Sequence, residues 1–200
     1  MKATVLYAPG DLRYEEAAMP PAPGPGQVTV QVQAAGICGS DLDRVMHTGT
    51  YRFPCIPGHE FCGIVHAVGE GVEYQLGDRV VVAPILPCLK CEPCQRGDFG
   101  LCSDYDYLGS RRDGGFAQYV NAPVQNLVPM PDSVSFLEGA AVEPAAVTLH
   151  GIKRIHIQAG DCVVVFGCGT IGLFAIQFAH IMGAGRIIAV DVDESKLEQA

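Results

Sequence analysis

Four cysteines within fifteen residues constrain this chain more than any other feature of its sequence. Cys88, Cys91, Cys94 and Cys102 follow the spacing Cys-x2-Cys-x2-Cys-x7-Cys. Two-residue gaps let a tight loop direct successive thiolates at one ion, and four thiolates about 2.3 Å from a metal form a closed tetrahedral zinc site. The alternative is a group of unrelated or redox-active thiols. We expect a structural zinc, which also fixes the fold of a polar lobe at about residues 86–103.

The cysteines also indicate the compartment. Nine is an odd count, which does not suit a closed disulfide framework. A dense cluster of reduced thiols is typical of a reducing compartment, so we expect a cytoplasmic protein. The four cysteines outside the candidate metal sites stand among apolar residues and are expected to be small core residues: Cys55, Cys62, Cys162 and Cys168.

Charge and hydropathy limit the partners. A formal net charge of −9 disfavours nucleic acid, because phosphate binding requires a basic face. Residues 162–185 contain no Asp, Glu, Lys or Arg, which could suggest a membrane span. The five glycines in this stretch favour instead a buried strand, a turn and a helix. We therefore expect neither a nucleic acid nor a membrane partner.

The sequence changes in character after residues 159–161. Up to about residue 145, short strand-like runs are cut by Gly and Pro, and residues 27–33 alternate with period two. Before residue 159, helices are expected only at 135–141 and 147–154. The later part has a strand at 162–166, a helix at 171–182, a strand at 186–191 and a helix from 194 to 200. We predict an α/β protein, with an irregular β domain at 1–150 and a β-α-β unit at 151–200.

The β-α-β unit is expected to be incomplete. A doubly wound nucleotide-binding sheet normally has about six strands, and a two-stranded parallel sheet has little core. We therefore interpret residues 151–200 as the start of a Rossmann-type doubly wound parallel sheet that is truncated here. The isolated chain is expected to bind zinc but to bind NAD weakly and to be inactive.

A glycine-rich turn marks the candidate cofactor site. The pattern Gly-x-Gly-x-x-Gly follows a predicted strand, opens a predicted helix, and precedes an aspartate at the end of the next strand. The glycines allow a tight turn and close approach of the pyrophosphate to the helix N-terminus. The aspartate favours NAD over NADP, because it would bond the ribose hydroxyls and repel a 2′-phosphate. The expected cofactor-binding residues are Gly167, Gly169, Thr170, Ile171, Gly172 and Asp191.

The sequence context of Cys38 and His59 indicates a second metal site. By themselves these two residues fit a core cysteine and a hydrogen-bonded histidine. However, the segment Gly-His-Glu-x2-Gly-x5-Gly-x2-Val at 58–72 resembles the signature of the zinc-dependent medium-chain alcohol and polyol dehydrogenases. The four-cysteine lobe and the glycine-rich turn follow in that family's order. The resemblance covers the whole chain and implies an N-terminal GroES-like domain and two zinc ions per subunit, one catalytic and one structural.

The resemblance also implies roles for individual residues. Cys38, His59 and Glu143 correspond to ligands of the catalytic zinc, and Glu60 to a glutamate that exchanges with water or substrate on the metal. The alternative for Glu143 is a carboxylate paired near a domain junction. Ser40 corresponds to the hydroxyl that accepts the alcohol proton, while zinc acts as a Lewis acid and hydride passes to NAD. Many relatives have a histidine three residues after this serine; Asp43 stands there, and we assign it no role.

The segment 105–116, together with 86–88, resembles the galactitol-1-phosphate 5-dehydrogenases. This implies oxidation of a secondary alcohol of a polyol or polyol phosphate, such as galactitol 1-phosphate to tagatose 6-phosphate, by a homodimer or homotetramer. Arg111 and Arg112 are candidates for a phosphate clamp. A solvated loop or a subunit contact is the alternative that we favour for them.

Other functions remain open at this point. A sorbitol-, butanediol- or threonine-type dehydrogenase would act on an unphosphorylated substrate. A non-catalytic zinc module would need only the four-cysteine site, and the zinc-free quinone reductase branch of the superfamily would need neither site. Two zincs per chain would favour the dehydrogenase, one closed zinc the module, and none the reductase.

Overall fold

The computed structural model describes all 200 residues and divides them into two compact units, 1–141 and 142–200. The first unit contains nine strands: β1 (Lys2–Ala8), β2 (Asp11–Glu16), β3 (Gln27–Gly36), β4 (Glu60–Val68), β5 (Arg79–Val82), β6 (Ile85–Leu86), β7 (Asp106–Tyr107), β8 (Tyr119–Pro123) and β9 (Leu127–Pro129). Its three short α-helices are α1 (Gly39–Asp43), α2 (Glu92–Gln95) and α3 (Phe136–Ala140).

A five-stranded antiparallel sheet forms the centre of the first unit, with the strand order β8-β3-β4-β5-β9. Val28 and Val30 of β3 lie in the core, as period-two patterning predicts, and Thr29 between them is also buried. The cluster of buried apolar side chains against this sheet comprises Val28, Val30, Phe61, Val65, Val80, Val82, Leu86, Leu108, Val120, Ala122 and Leu127. This sheet positions the residues at the ends of β3 and β4.

Two smaller pairs of strands complete the first unit. β1 and β2 form an antiparallel hairpin, and β6 pairs with β7 through Ile85↔Tyr107 and Leu86↔Asp106. The β6–β7 pair brackets the segment that contains the four clustered cysteines. That lobe is therefore anchored at both ends by backbone hydrogen bonds.

The second unit contains α4 (Val142–Arg154), β10 (Cys162–Phe166), α5 (Thr170–Ile181), β11 (Arg186–Val190) and α6 (Glu194–Leu197). β10 and β11 are parallel, and α5 connects them. This β-α-β arrangement confirms the expected start of a doubly wound sheet. None of the helices combines the length and apolar character that a transmembrane span requires.

Helix α4 begins five residues before the position predicted from the sequence. The sequence predicted a helix that starts at Val147. In the structure Pro144 lies in the first turn of α4. A proline is tolerated there, since the N–H groups of the first turn have no intrahelical acceptor.

Candidate active site

Three residues with metal-ligand side chains come together where β3, α1 and β4 meet. Cys38 is the N-cap of α1, His59 immediately precedes β4, and Glu60 is its first residue. Their ligand atoms all lie within 4.8 Å of one another. His59 and Glu60 are buried, and Cys38 is partly exposed. One thiol, one imidazole and one carboxylate at this separation are suited to chelating a single ion.

Gly36 makes room for the carboxylate of Glu60. The two residues are partners in the β3–β4 ladder, so their side-chain positions lie on the same face of the sheet. A Cβ atom at position 36 would overlap Oε2 of Glu60. The glycine thus leaves a recess in which Glu60 is held close to Cys38 and His59.

Asp41 connects two of these three residues, and sequence reasoning did not identify it. Its side chain is 1% exposed, and its Oδ2 accepts a 3.1 Å hydrogen bond from the Cys38 N–H. Its Oδ1 lies 3.2 Å from Nδ1 of His59, and neither of these buried atoms makes a conventional hydrogen bond. A proton on Nδ1 would face this carboxylate and leave Nε2 as the ligand atom. The signal was present in the sequence as an aspartate three residues after the cysteine that caps a helix.

Electrostatics at this cluster favour a bound cation. Burial lowers the pKa of His59, but Asp41 and Cys38 outweigh it and raise that pKa to about 9. Burial raises the pKa of Glu60. Asp41 contributes to both shifts, because its carboxylate places negative charge beside His59 and Glu60 in a buried space. A divalent cation among these donors would compensate that charge, and the donor set is one that zinc accepts in catalytic sites.

Ser40 and Asp43 lie in the helix that follows Cys38. The Ser40 Oγ accepts a 2.8 Å hydrogen bond from Nη1 of Arg44. Asp43 accepts a 2.9 Å hydrogen bond from the hydroxyl of Thr48. The serine is therefore linked to a guanidinium group, an arrangement that the sequence analysis did not anticipate although the two residues are four positions apart.

The four cysteines of the lobe also form one cluster. Their sulfur atoms all lie within 4.8 Å of one another, with 4.0 Å between Cys88 and Cys94 and 3.8 Å between Cys91 and Cys102. Ligands about 2.3 Å from a tetrahedral zinc are about 3.8 Å apart, so the spacing fits that ion. The geometry offers a closed site, in which every coordination position is a sulfur.

Backbone N–H groups stabilise negative charge on these sulfurs. The N–H of Cys88 donates to the sulfur of Cys102 at 3.3 Å, and the N–H of Cys91 donates to the sulfur of Cys88 at 3.4 Å. Backbone N–H groups of Cys94 and Ser103 lower the pKa of Cys91 to about 6. Burial and the neighbouring sulfurs raise the pKa of Cys94 to about 12, because a further thiolate is disfavoured without a cation.

The glycine-rich turn has the backbone geometry that the pattern predicts. Gly167 has a φ of 92°, in the left-handed region that favours glycine. A Cβ atom at Gly172 would overlap the carbonyl oxygen of Gly167, so the helix can approach the strand only with glycine there. Gly169 is the N-cap of α5, which begins at Thr170 and Ile171. The first N–H groups of α5 are in the arrangement that binds a pyrophosphate.

Asp191 follows β11 directly and is held against the glycine-rich turn. Its Oδ2 accepts from the N–H of Cys168 at 2.6 Å, and its Oδ1 accepts from the N–H of Asp193 at 2.9 Å. These backbone hydrogen bonds lower the pKa of Asp191. The carboxylate is therefore ionised at neutral pH beside the glycine-rich turn.

Glu143 lies in the first turn of α4, in the second unit. Its assignment as a ligand of the catalytic metal stays a prediction.

The two arginines of the predicted phosphate clamp have different surroundings. The Arg111 guanidinium stacks on the rings of Tyr51 and Tyr105, with its Cζ 4.1 and 4.7 Å from the ring centroids. Arg112 forms an ion pair with Asp106.

The cysteines outside the two clusters divide into two kinds. Cys55, Cys62 and Cys168 are buried, as expected. The expectation was wrong for Cys162, which is exposed. It lies at the start of β10, which pairs only with β11 in the structure, so no further strand covers it.

Comparison with known proteins identifies close relatives along the whole chain. Residues 24–132 match the family described as alcohol dehydrogenase GroES-like domain. Galactitol 1-phosphate 5-dehydrogenase of Escherichia coli (strain K12) is 39% identical over 201 residues, which cover 100% of this chain and 58% of the relative. Sorbitol dehydrogenase of Bacillus subtilis (strain 168) is 37% identical over 206 residues, with the same two coverages.

The fold also matches a solved structure. The crystal structure of galactitol-1-phosphate dehydrogenase from Escherichia coli superposes with a TM-score of 0.93 at 38% identity, covering 100% of this chain and 58% of that chain. The chain thus spans 58% of the length of the curated relatives named above.

Proposed function

Because the chain belongs to the alcohol dehydrogenase family with a GroES-like domain, we propose that it forms the zinc-binding part of an NAD-dependent polyol dehydrogenase. The observation that carries the proposal is the cluster of Cys38, His59 and Glu60, whose ligand atoms lie within 4.8 Å of one another. A protein that only binds a partner through a closed zinc lobe has no use for this second, mixed cluster. The zinc-free reductase branch has no use for either cluster.

The donors present fit a catalytic zinc. Cys38, His59 and Glu143 would hold the ion, with Glu60 as an additional carboxylate that exchanges with water or substrate. Such a zinc supplies Lewis-acid chemistry that makes a substrate hydroxyl easier to deprotonate. Cys88, Cys91, Cys94 and Cys102 would hold a second, structural zinc.

The chain's own residues bind and orient the reactants. The Ser40 hydroxyl accepts the proton of the alcohol and passes its own proton outward, and Asp41 fixes the ring of His59. The N-terminus of α5, with Gly167, Gly169 and Gly172, binds the cofactor pyrophosphate. The ionised carboxylate of Asp191 bonds the adenosine ribose hydroxyls and repels a 2′-phosphate, which supports NAD as the cofactor.

The substrate that we propose is galactitol 1-phosphate, oxidised to tagatose 6-phosphate. The sequence at 105–116 and the identity of 39% to the Escherichia coli galactitol 1-phosphate 5-dehydrogenase support it. An unphosphorylated polyol is the second candidate, supported by the 37% identity to the Bacillus subtilis sorbitol dehydrogenase. We further propose a cytoplasmic homodimer or homotetramer.

A dehydrogenase assay of the full-length protein tests this function. NAD reduction is followed with galactitol 1-phosphate, other polyol phosphates and the free polyols. The proposal expects zinc-dependent NAD reduction, with galactitol 1-phosphate giving the highest kcat/KM. Equal efficiency with free polyols would refute the phosphorylated substrate, and no reduction with any polyol would refute the dehydrogenase.

A further inference from the structure

Arg44 places a positive charge beside the candidate proton acceptor. It follows Ser40 by four residues, where α1 continues into a π-helical turn at Arg44–Thr48. Its Nη1 donates to the Ser40 Oγ at 2.8 Å, and its side chain is 25% exposed. π-helical turns are rare and are often found at functional sites. The guanidinium is thus held next to the hydroxyl that is proposed to accept the substrate proton.

The neighbouring carboxylates leave most of the Arg44 donors available. Its one ion pair is with Oδ1 of Asp41 at 3.8 Å, and Asp41 is already engaged with the Cys38 N–H and His59. Asp43 accepts from the hydroxyl of Thr48 instead of from the guanidinium. Since a guanidinium has five N–H donors and Ser40 takes one, the remaining donors can form a bidentate contact.

A cavity of about 400 Å³ lies against this guanidinium. It is lined by Ser40, Arg44, Thr48, Gly49, Thr50 and Tyr51, and Asp43 also borders it. The hydroxyls of Thr48 and Thr50 already donate to Asp43 and to the carbonyl of Arg52, so the guanidinium of Arg44 supplies the N–H donors for an anion. The cavity joins this cation to the hydroxyl that is proposed to take the substrate proton.

The two arginines of the candidate clamp differ in how they are engaged. Arg112 is paired with Asp106, and a charge that is already paired attracts an added anion weakly. Arg111 stacks on two tyrosine rings, and its buried Nε has no hydrogen-bond partner. Arg111 is therefore the competing anion site, and the test below includes it.

We propose that Arg44 binds the phosphate group of a phosphorylated polyol and determines the preference for that substrate over the free polyol. This inference rests on the proposed dehydrogenase function and assigns its specificity to one residue. A guanidinium is suited to this because it contacts phosphate oxygens bidentately and stays charged at all working pH values. The carboxylate of Asp43, which borders the same cavity, opposes the attraction.

Steady-state kinetics of the full-length enzyme test the inference, with inorganic phosphate as the probe and a free polyol as the varied substrate. The wild type should be inhibited by phosphate in competition with the polyol. Arg44→Gln should raise the inhibition constant about tenfold or more, the loss expected for a hydrogen bond to a charged group. It should lower the kcat/KM ratio of galactitol 1-phosphate to free galactitol by a similar factor. Asp43→Asn should tighten phosphate inhibition.

Matched variants make the outcome decisive. Arg44→Lys keeps the charge and should retain part of the preference, which a purely structural role would not predict. Arg13→Gln, an exposed arginine paired with Asp11, should behave like the wild type. An unchanged inhibition constant in Arg44→Gln, loss of inhibition in Arg111→Gln instead, or competition of phosphate with NAD would each overturn the proposal. Absence of NAD reduction with every polyol in the wild type would refute the dehydrogenase function itself.

Discussion

Asp41 contacts two of the proposed zinc ligands at once, through the Cys38 N–H and Nδ1 of His59. Carboxylates in this position orient a histidine and increase its basicity as a ligand. Its side chain is almost completely buried, so the contact is shielded from water and salt. At the scale of single residues, the geometry of the mixed cluster therefore depends on a group outside the ligand set.

We predict that Asp41→Asn weakens zinc binding at the mixed site by about 10–100-fold, the usual cost of losing such a partner. The structural zinc should be unaffected. Chelator competition with measurement of the metal content would show the weaker zinc binding at the mixed site. Asp43→Asn serves as the control, because its carboxylate contacts only the Thr48 hydroxyl among the hydrogen bonds described. Equal zinc affinity in Asp41→Asn and the wild type would contradict the role of Asp41.

Asp191 allows a second prediction at this scale. Asp191→Asn keeps the shape of the side chain but removes the charge that repels a 2′-phosphate. We expect the ratio of kcat/KM for NAD to that for NADP to fall about 10–100-fold in the full-length enzyme, as for a lost hydrogen bond to a charged group. Asp193→Asn is the control, since Asp193 caps α6 through Ser195. An unchanged ratio in Asp191→Asn would show that the cofactor preference has another origin.

At the scale of elements, the close packing of β3 against β4 holds the mixed cluster in place. Gly63 of β4 pairs with Val32, and a Cβ atom at Gly63 would overlap the carbonyl oxygen of Gln31. A backbone atom cannot move aside without shifting the strand that leads to Gly36 and Cys38. Strand spacing in the sheet and ligand spacing in the site are therefore coupled.

We predict that Gly63→Ala destabilises the folded chain by about 1–3 kcal/mol, the usual cost of overpacking. Chemical denaturation followed by circular dichroism would measure it. Gly100→Ala provides the control, because a Cβ atom there meets nothing within 4 Å. If both variants unfold at the same denaturant concentration, β3 and β4 are not packed as described.

The four-cysteine lobe is an element whose fold depends on its metal. Cys94→Ser removes one thiolate from the cluster, and we expect the lobe to lose its zinc and unfold locally. Trypsin should then cleave after Lys90 and Arg96, both of which lie between the clustered cysteines. Cys162→Ser, which changes an exposed cysteine, should stay resistant. Cleavage at equal rates in both variants would indicate that zinc does not order the lobe.

Much of this architecture was predictable because local patterns determined it. β10 (Cys162–Phe166) has the predicted bounds, and α5 is offset from the prediction by one residue, since each follows from an unbroken apolar run beside a glycine turn. The start of α4 was not predicted, because tolerance of Pro144 depends on its position within the first turn. The contacts of Asp41 with His59 required tertiary structure, since they join residues eighteen positions apart.

At the scale of the whole molecule, the first unit carries two different clusters of metal-ligand side chains, one at the five-stranded sheet and one beside the β6–β7 pair. The four-sulfur cluster is closed, whereas the cluster of Cys38, His59 and Glu60 mixes sulfur, nitrogen and oxygen. A closed site stabilises a fold, and a mixed site with an open position can take part in a reaction. The proposed dehydrogenase function requires the second cluster to bind an ion.

Zinc-edge X-ray absorption of the full-length protein, combined with metal analysis, tests this claim most directly. We predict about two zinc ions per chain, one bound by four sulfurs and one by sulfur, nitrogen and oxygen at the distances typical of zinc ligands. In Cys94→Ser the mixed signal should remain after the four-sulfur signal has disappeared. A single zinc with only sulfur ligands, unchanged by substitution of Cys38 or His59, would contradict the claim.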